Sequence, residues 1–284
     1  MKTSSLLLAL ALSLTPHPSL LAQQNNIADD RASNPEYNNG WSSGQNGGYG
    51  FGEWKLIAQP SDDASRTYSG HFIAQDVDHS DLNGVATDGR AFGLYANGHR
   101  FEKAVAFRPL KEPLKIGDTF SIKLEHGDFV KKFDIDSPDP GSVGFTIRTG
   151  NAQNTENDYK TGARFELSYH KDKNNYTLID KDGEFDTGVN YTDSGISVSF
   201  TLTGPDTYDL EIICLSDRSI KTFTGRHLAG EAGAPIESFA LFAYNTEKSN
   251  AYFNNIQIAR HETPSTTDKD NKDNKDKKEQ PAEP

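Results

Sequence analysis

The chain has 284 residues, with 41 acidic against 29 basic side chains, a net charge of −12 and a hydrophobic fraction of only 34%. An acidic chain repels phosphate backbones and anionic headgroups, which argues against nucleic acid and membrane surfaces as partners. A single cysteine, Cys214, excludes an internal disulfide and a cysteine-based zinc site, so the fold must stand on its hydrophobic core.

The first residues carry the order of an export signal. Lys2 precedes an apolar run from Ser4 to Leu14, Pro16 and Pro18 break it, and Leu20-Leu21-Ala22 ends on a small residue suited to cleavage. The run falls short of the about 20 residues that span a bilayer. Gln23 stands where a lipid-anchored product needs Cys. Residues 1–22 are therefore expected to be a signal peptide, and the product to be secreted or periplasmic, without a lipid anchor or membrane insertion. Residues 23–35 are polar and without period, and read as a flexible leader.

Residues 36–260 read as one domain built of strands. Thr119-Phe120-Ser121-Ile122-Lys123-Leu124-Glu125 alternates polar and apolar, the period-2 mark of a half-buried strand. Val143–Arg148, Arg164–His170 and Ser197–Thr203 do the same. Tyr208–Cys214 follows the Gly204-Pro205-Asp206 turn, and Phe239–Tyr244 and Tyr252–Ile258 close the domain. Alternation puts Cys214 beside Leu210 and Ile212, as a buried, inert thiol. Asn83-Gly84, Asp88-Gly89, Asn97-Gly98 and Asp182-Gly183 supply residues that tolerate the positive φ of tight hairpins. Many short strands joined by polar turns predict an all-β, two-sheet antiparallel β-sandwich, with an up-and-down barrel as the alternative. From His261 to Pro284 the chain has almost nothing apolar to bury, so it reads as a disordered charged tail.

Four stretches carry a family resemblance. They are Asn39–Trp54 with its glycines, Gly141–Phe145, Phe200–Tyr208 around Gly204-Pro205-Asp206, and the closing Ala251-Tyr252-Phe253-Asn254-Asn255-Ile256-Gln257-Ile258. Together they resemble bacterial exported β-sandwich proteins of the concanavalin A-like lectin/glucanase (jelly-roll) superfamily, over most of residues 38–259. The resemblance implies a jelly-roll sandwich whose last strand lies beside the first. Fold alone does not deliver function. Retaining glucanases of that superfamily place a Glu-x-Asp-x-Glu series on one strand, so that period 2 aims the carboxylates into the cleft. This sequence lacks the series. Asp134 and Asp136 come nearest, but Pro138 ends any strand there.

Other chemistry is sparse. Asp76, Asp78, Asp81 and Asn83 loosely resemble a Ca²⁺ loop, and Asp134, Asp136 and Asp139 offer a second, but no bidentate Glu accompanies the first. A polar surface loop accounts equally for either. No His-Glu-x-x-His motif and no Gly-x-Ser-x-Gly elbow occur. No cofactor is expected, with Ca²⁺ the one alternative. The glycines of Gly44–Gly52 read as permitting close turns around Trp41 and Trp54.

One sharper expectation comes from alternation. If Val143, Phe145, Ile147, Phe165, Leu167 and Tyr169 point inward, then Thr146, Arg148, Arg164, Glu166, Ser168 and His170 share the opposite face. Arg and Glu suit sugar hydroxyls and carboxylates, and Trp41, Tyr49, Trp54 and Tyr95 could stack on sugar rings. The candidate carbohydrate site is thus Arg148, Arg164, Glu166, His170, Tyr95 and Trp41, with a glycan or polysaccharide as partner and no catalytic residue. The plainer reading is a solvated sheet face with aromatics in the core. A polysaccharide lyase, with Arg148 or Arg164 neutralising a uronate and His170 or Tyr169 taking the proton, is the enzymatic alternative, alongside a glycoside hydrolase. A structural matrix protein is the third.

Overall fold

The computed structural model describes residues 24–59, 68–75, 82, 84–97, 102–127, 141–150, 159–246 and 249–261. The signal segment, the carboxylates Asp76, Asp78, Asp81, Asp134, Asp136 and Asp139 and the tail from 262 onward lie outside these residues. Among the described residues no helix is long and apolar enough to cross a membrane.

The strands form two antiparallel sheets. The eight-stranded sheet runs β13 (Ile220–His227), β12 (Thr207–Cys214), β11 (Ile196–Leu202), β6 (Thr119–His126), β15 (Asn250–His261), β4 (Arg90–Ala96) and β3 (Ser69–Gln75), with β1 (Gln24–Asp30) also paired to β15. The seven-stranded sheet runs β10 (Gly183–Asn190), β9 (Asn175–Asp180), β8 (Ala163–His170), β7 (Ser142–Arg148), β14 (Ser238–Tyr244), β5 (Lys103–Pro109) and β2 (Lys55–Gln59). This is the jelly-roll sandwich that the alternation and turn residues predict. The Asp88-Gly89 turn takes positive φ at both residues, 52° and 72°, and Gly183 takes 92° between β9 and β10.

The core lies between the sheets. Phe120, Ile122 and Leu124 of β6 and Val198 and Phe200 of β11 face Phe145, Phe165, Leu167, Phe239 and Leu241 of the other sheet. Burying each such side chain stabilises the fold by about 1.5–3 kcal/mol, which is how the sandwich stands without a disulfide. Cys214, expected to be buried, is free and only half-buried, at the last position of β12.

The leader reading gives way to a strand. Gln24–Asp30 pairs with β15, from Gln24 opposite His261 to Asp30 opposite Ile256. Its period is broken by a register shift between Asn26 and Ala28, and one of its buried side chains is a carboxylate, Asp30. Both features hide a strand from a hydrophobicity pattern. The glycine-rich loop then passes under β1. Gly48 takes φ +70°, and a Cβ there would lie 2.0 Å from the Asp29 carbonyl oxygen, so no other residue fits.

Candidate functional site on the outer face of the seven-stranded sheet

Strand alternation delivers the two faces as expected. Val143, Phe145, Ile147, Phe165, Leu167 and Tyr169 are core, and Thr146, Arg148, Glu166, Ser168 and His170 lie on the outer face. That face is not a plain solvated surface. Thr146, Arg148, Glu166 and Ser168 are buried, and so is a second apolar cluster of Val105, Phe107, Tyr159, Ala240 and Phe242. Tyr159 stacks on Phe242 with ring centroids 3.8 Å apart. The sequence signal for this cluster is the continuous apolar run in Ala104–Phe107 and Phe239–Ala243, which marks strands buried on both sides.

Register aligns the outer face into rows. One row runs Val105, Phe242, Gly144, Ser168 and Thr177 across five strands. The next runs Lys103, Tyr244, Ser142 and His170. In this second row Lys103, Tyr244 and His170 are half-buried, so it is the part of the face that meets solvent. Behind His170, period 2 along β8 sets Ser168 and Glu166 in line. The Ser168 hydroxyl donates to Glu166 Oε1 at 2.8 Å, and Ser168 Oγ lies 3.0 Å from His170 Nε2. With its one proton given to the carboxylate, Ser168 can only accept from His170, which fixes the Nε2–H tautomer. Burial lowers the His170 pKa; Asp172 and Glu184 pull it back up, and Lys160 and Lys173 push it down further. The imidazole is therefore neutral at neutral pH, a donor at Nε2 and an acceptor at Nδ1.

The six candidate residues separate. Arg148, Glu166 and His170 share the outer face. The Arg148 guanidinium lies 4.9 Å over the Phe107 ring and donates through Nη2 to the Thr161 carbonyl. Arg164 is 1% exposed at the end of β8, and its fork is committed. Nε donates to Ala229 O at 3.0 Å, Nη1 to Ala234 O, and Nη2 to Asp206 Oδ1 at 2.5 Å. It clamps residues 229–234 to the 203–207 turn, and at this burial it is not open to a sugar. Trp41 lies between the sheets, 5% exposed, edge-on to Trp54 at 4.9 Å. Tyr95 is on β4 of the other sheet, against Phe72. Trp41 and Tyr95 therefore present no ring to the row of His170. Tyr244, Lys103 and Ser142, which sequence reasoning passed over, do share that row.

The commitment of Arg164 makes a stability prediction. Arg164→Met should cost about 2–3 kcal/mol, since it strands the Ala229 and Ala234 carbonyls and the Asp206 carboxylate together. Urea unfolding measures this, and a loss under 1 kcal/mol would show that the clamp is dispensable.

Among the described residues no group of three His, Cys, Asp or Glu side chains is placed to hold a metal ion. Of the seven-stranded sheet, β2, β5, β7, β8 and β14 carry one carboxylate between them, Glu166, while β9 carries Asp180 and β10 carries Glu184 and Asp186.

No protein-family model matches the chain, and no curated protein matches it. Among solved structures it is similar to a legume lectin-like domain from Entamoeba histolytica, at 11% identity and a TM-score of 0.43, over 67% of this chain and 89% of that one. It is also similar to the exoplasmic/lumenal domain of VIP36 in a Ca²⁺/Man3GlcNAc-bound form, at 9% identity and a TM-score of 0.43, over 77% and 89%. A third is the globular domain of T. cruzi calreticulin, at 8% identity and a TM-score of 0.45, over 75% and 86%. At these identities the likeness carries no residue of those proteins' sites over to this chain.

Proposed function

We propose that the protein is an exported glycan-binding module, and that the sugar meets the row Lys103, Tyr244, Ser142 and His170. The observation that carries this reading is the row itself, in register across four strands with the Ser168–Glu166 pair behind His170. Tyr244 supplies an aromatic ring for a sugar face, Lys103 and His170 Nδ1 supply polar contacts on either side, and Glu166 holds the imidazole in place through Ser168. Arg148 backs the face from the Phe107 side. Catalysis by a carboxylate pair is not part of the reading, because hydrolysis with retention or inversion requires two acids flanking the bond.

Binding to a polysaccharide and glycan array, with and without a calcium chelator, tests the proposal. Tyr244→Ala and His170→Ala should each weaken binding at least tenfold. Glu166→Gln should weaken it less, acting through the imidazole. Binding that both Tyr244→Ala and His170→Ala leave intact would move the site elsewhere, and no binding to any glycan would end the proposal. The neutral His170 favours one second reading, a lyase in which it takes the proton alpha to a uronate carboxylate. Incubation with uronate polymers, followed at the absorbance of the unsaturated product, separates the two; a module gives none. Export is tested by N-terminal sequencing of the protein outside the cytoplasm, where Gln23 should come first.

A further inference from the structure

The outer face of the eight-stranded sheet holds a cavity of about 330 Å³. Its walls come from β6, β11, the segment around Gly84 and the 215–219 turn between β12 and β13. Lys123 of β6 stands opposite Ser197 of β11, and both line it, with Ser194 and Arg218. Among the described residues the lining contains two cations, two hydroxyls and no carboxylate, in a chain whose net charge is −12.

Lys123 Nζ donates to the neutral Gly84 carbonyl at 3.0 Å. Among the described residues neither Lys123 nor Arg218 forms an ion pair. Asp217, next to Arg218 in the chain, lines the neighbouring cavity instead and accepts the Ser219 N–H at 2.8 Å. Burial lowers the Lys123 pKa, and the Arg218 charge lowers it further. Two like charges, Lys123 half-buried and Arg218 exposed, thus line one cavity with no acid paired to either among the described residues, an arrangement that an anion between them would relieve. The Gly84 wall is held tightly, since a Cβ there would meet the Ser194 carbonyl at 1.8 Å, so the cavity is a fixed part of the fold.

We propose that this cavity is an oxyanion site, in which Lys123 and Arg218 grip a sulfate or phosphate group and the hydroxyls of Ser194 and Ser197 donate to its remaining oxygens. Arg gives a planar two-pronged contact and Lys a point charge, the pairing that tetrahedral oxyanions favour. The cavity exceeds what a free tetrahedral anion fills, so the group is best carried as an ester on a sugar ring. The site is on the sheet opposite to the glycan row and stands independently of it.

The full chain is titrated with inorganic sulfate and inorganic phosphate by calorimetry, at constant ionic strength set with chloride, and then with glucose 6-sulfate and glucose 6-phosphate. One saturable site is expected, with the sugar esters bound more tightly than the free ions. Arg218→Gln, at an exposed position, should weaken binding at least tenfold, and Lys123→Met similarly; both should leave binding at the Tyr244 row unchanged. Sulfate esters ahead of phosphate esters, or the reverse, tells which group the site is built for. Absence of saturable binding overturns the proposal, as does Arg218→Gln binding as tightly as the native protein. Should Lys123→Met fail to fold, the Arg218→Gln result decides alone.

Discussion

Arg108→Met is expected to lower the unfolding free energy by about 3–5 kcal/mol. Arg108 is on β5, and alternation points it between the sheets with Ala104 and Ala106 rather than outward with Val105 and Phe107. There it is fully buried against the equally buried Asp30 of β1, with its Nη1 paired to the carboxylate. Its Nε donates to Gly52 O at 3.0 Å, and its Nη2 to Asn46 Oδ1 at 2.9 Å and Gly47 O at 2.8 Å. The guanidinium also lies 4.6 Å over the Trp54 ring and 5.0 Å over Phe51. One planar fork therefore ties β1 and the glycine loop to the seven-stranded sheet, a task the point charge of Lys cannot perform. Removing it strands Asp30, whose carboxyl burial already pushes its pKa up despite Arg108, Tyr37 and Asn34. The loss should shrink in acid, where Asp30 takes a proton and no longer needs a counter-charge. The double change Arg108→Met with Asp30→Asn should recover part of it. Urea unfolding at pH 7 and pH 5 is the measurement; a loss below 1 kcal/mol for Arg108→Met would refute the role given to the fork.

The native protein should also lose stability steeply as pH falls from 6.5 towards 4. His126 is buried and His71 half-buried, and burial lowers each pKa to about 4, opposed by one hydrogen bond apiece to a backbone carbonyl. His71 donates from Nε2 to Val105 O at 3.0 Å and lies edge-on to Trp41. His126 donates from Nδ1 to Gly127 O at 2.8 Å, within a ring of Tyr169, Tyr176 and Tyr191 at 4.7, 5.7 and 5.1 Å. In the unfolded chain both titrate near 6.5. Between those values the unfolded state binds protons that the folded state refuses. Stability is full above about 6.5 and falls by about 1.4 kcal/mol per pH unit for each histidine, to about 3 kcal/mol apiece near pH 4. Asp30, raised by burial, contributes with the opposite sign at the acid end, so single variants isolate the histidines. His71→Gln and His126→Phe should each reduce the slope between pH 6.5 and 4.5, with His170, also lowered by burial, keeping part of it. A flat native profile, or variants with the native slope, would contradict this.

The sheets were legible because their strands alternate and their turns carry glycine and asparagine at the right places. Thr119–Glu125, Val143–Arg148 and Arg164–His170 each fall within one residue of the strands β6, β7 and β8. β1 was not legible, since the counter-charge of its buried Asp30 is Arg108, 78 positions away. The same limit governs the candidate site. Alternation along β8 placed Glu166, Ser168 and His170 together, because that is a property of one strand. Which residues stand beside His170 depends on the pairing of β7, β14 and β5, and that register is not written in any one of them. Arg164 shows the converse. Its position on the face was readable, but its commitment to Ala229, Ala234 and Asp206 lies in segments far along the chain. Trp41 and Tyr95 were placed by residue type alone, and type does not tell a ring that stacks on a sugar from one that packs on Trp54 or Phe72.

The pairing of β1 with β15 has an engineering consequence. Gln24 and His261 are cross-strand partners, so the two ends of the folded body are neighbours, at the about 4.5–5.5 Å spacing of antiparallel partners. A linker of a few glycines and serines would close that gap, and the chain could be opened anew at the Asp182-Gly183 hairpin between β9 and the edge strand β10. Such a circular permutant would keep every sheet partner but one turn. Its new termini would sit at the β10 edge of the seven-stranded sheet, whereas β1 and β15 belong to the other, so that a surface or reporter could be attached there without crowding the old ends.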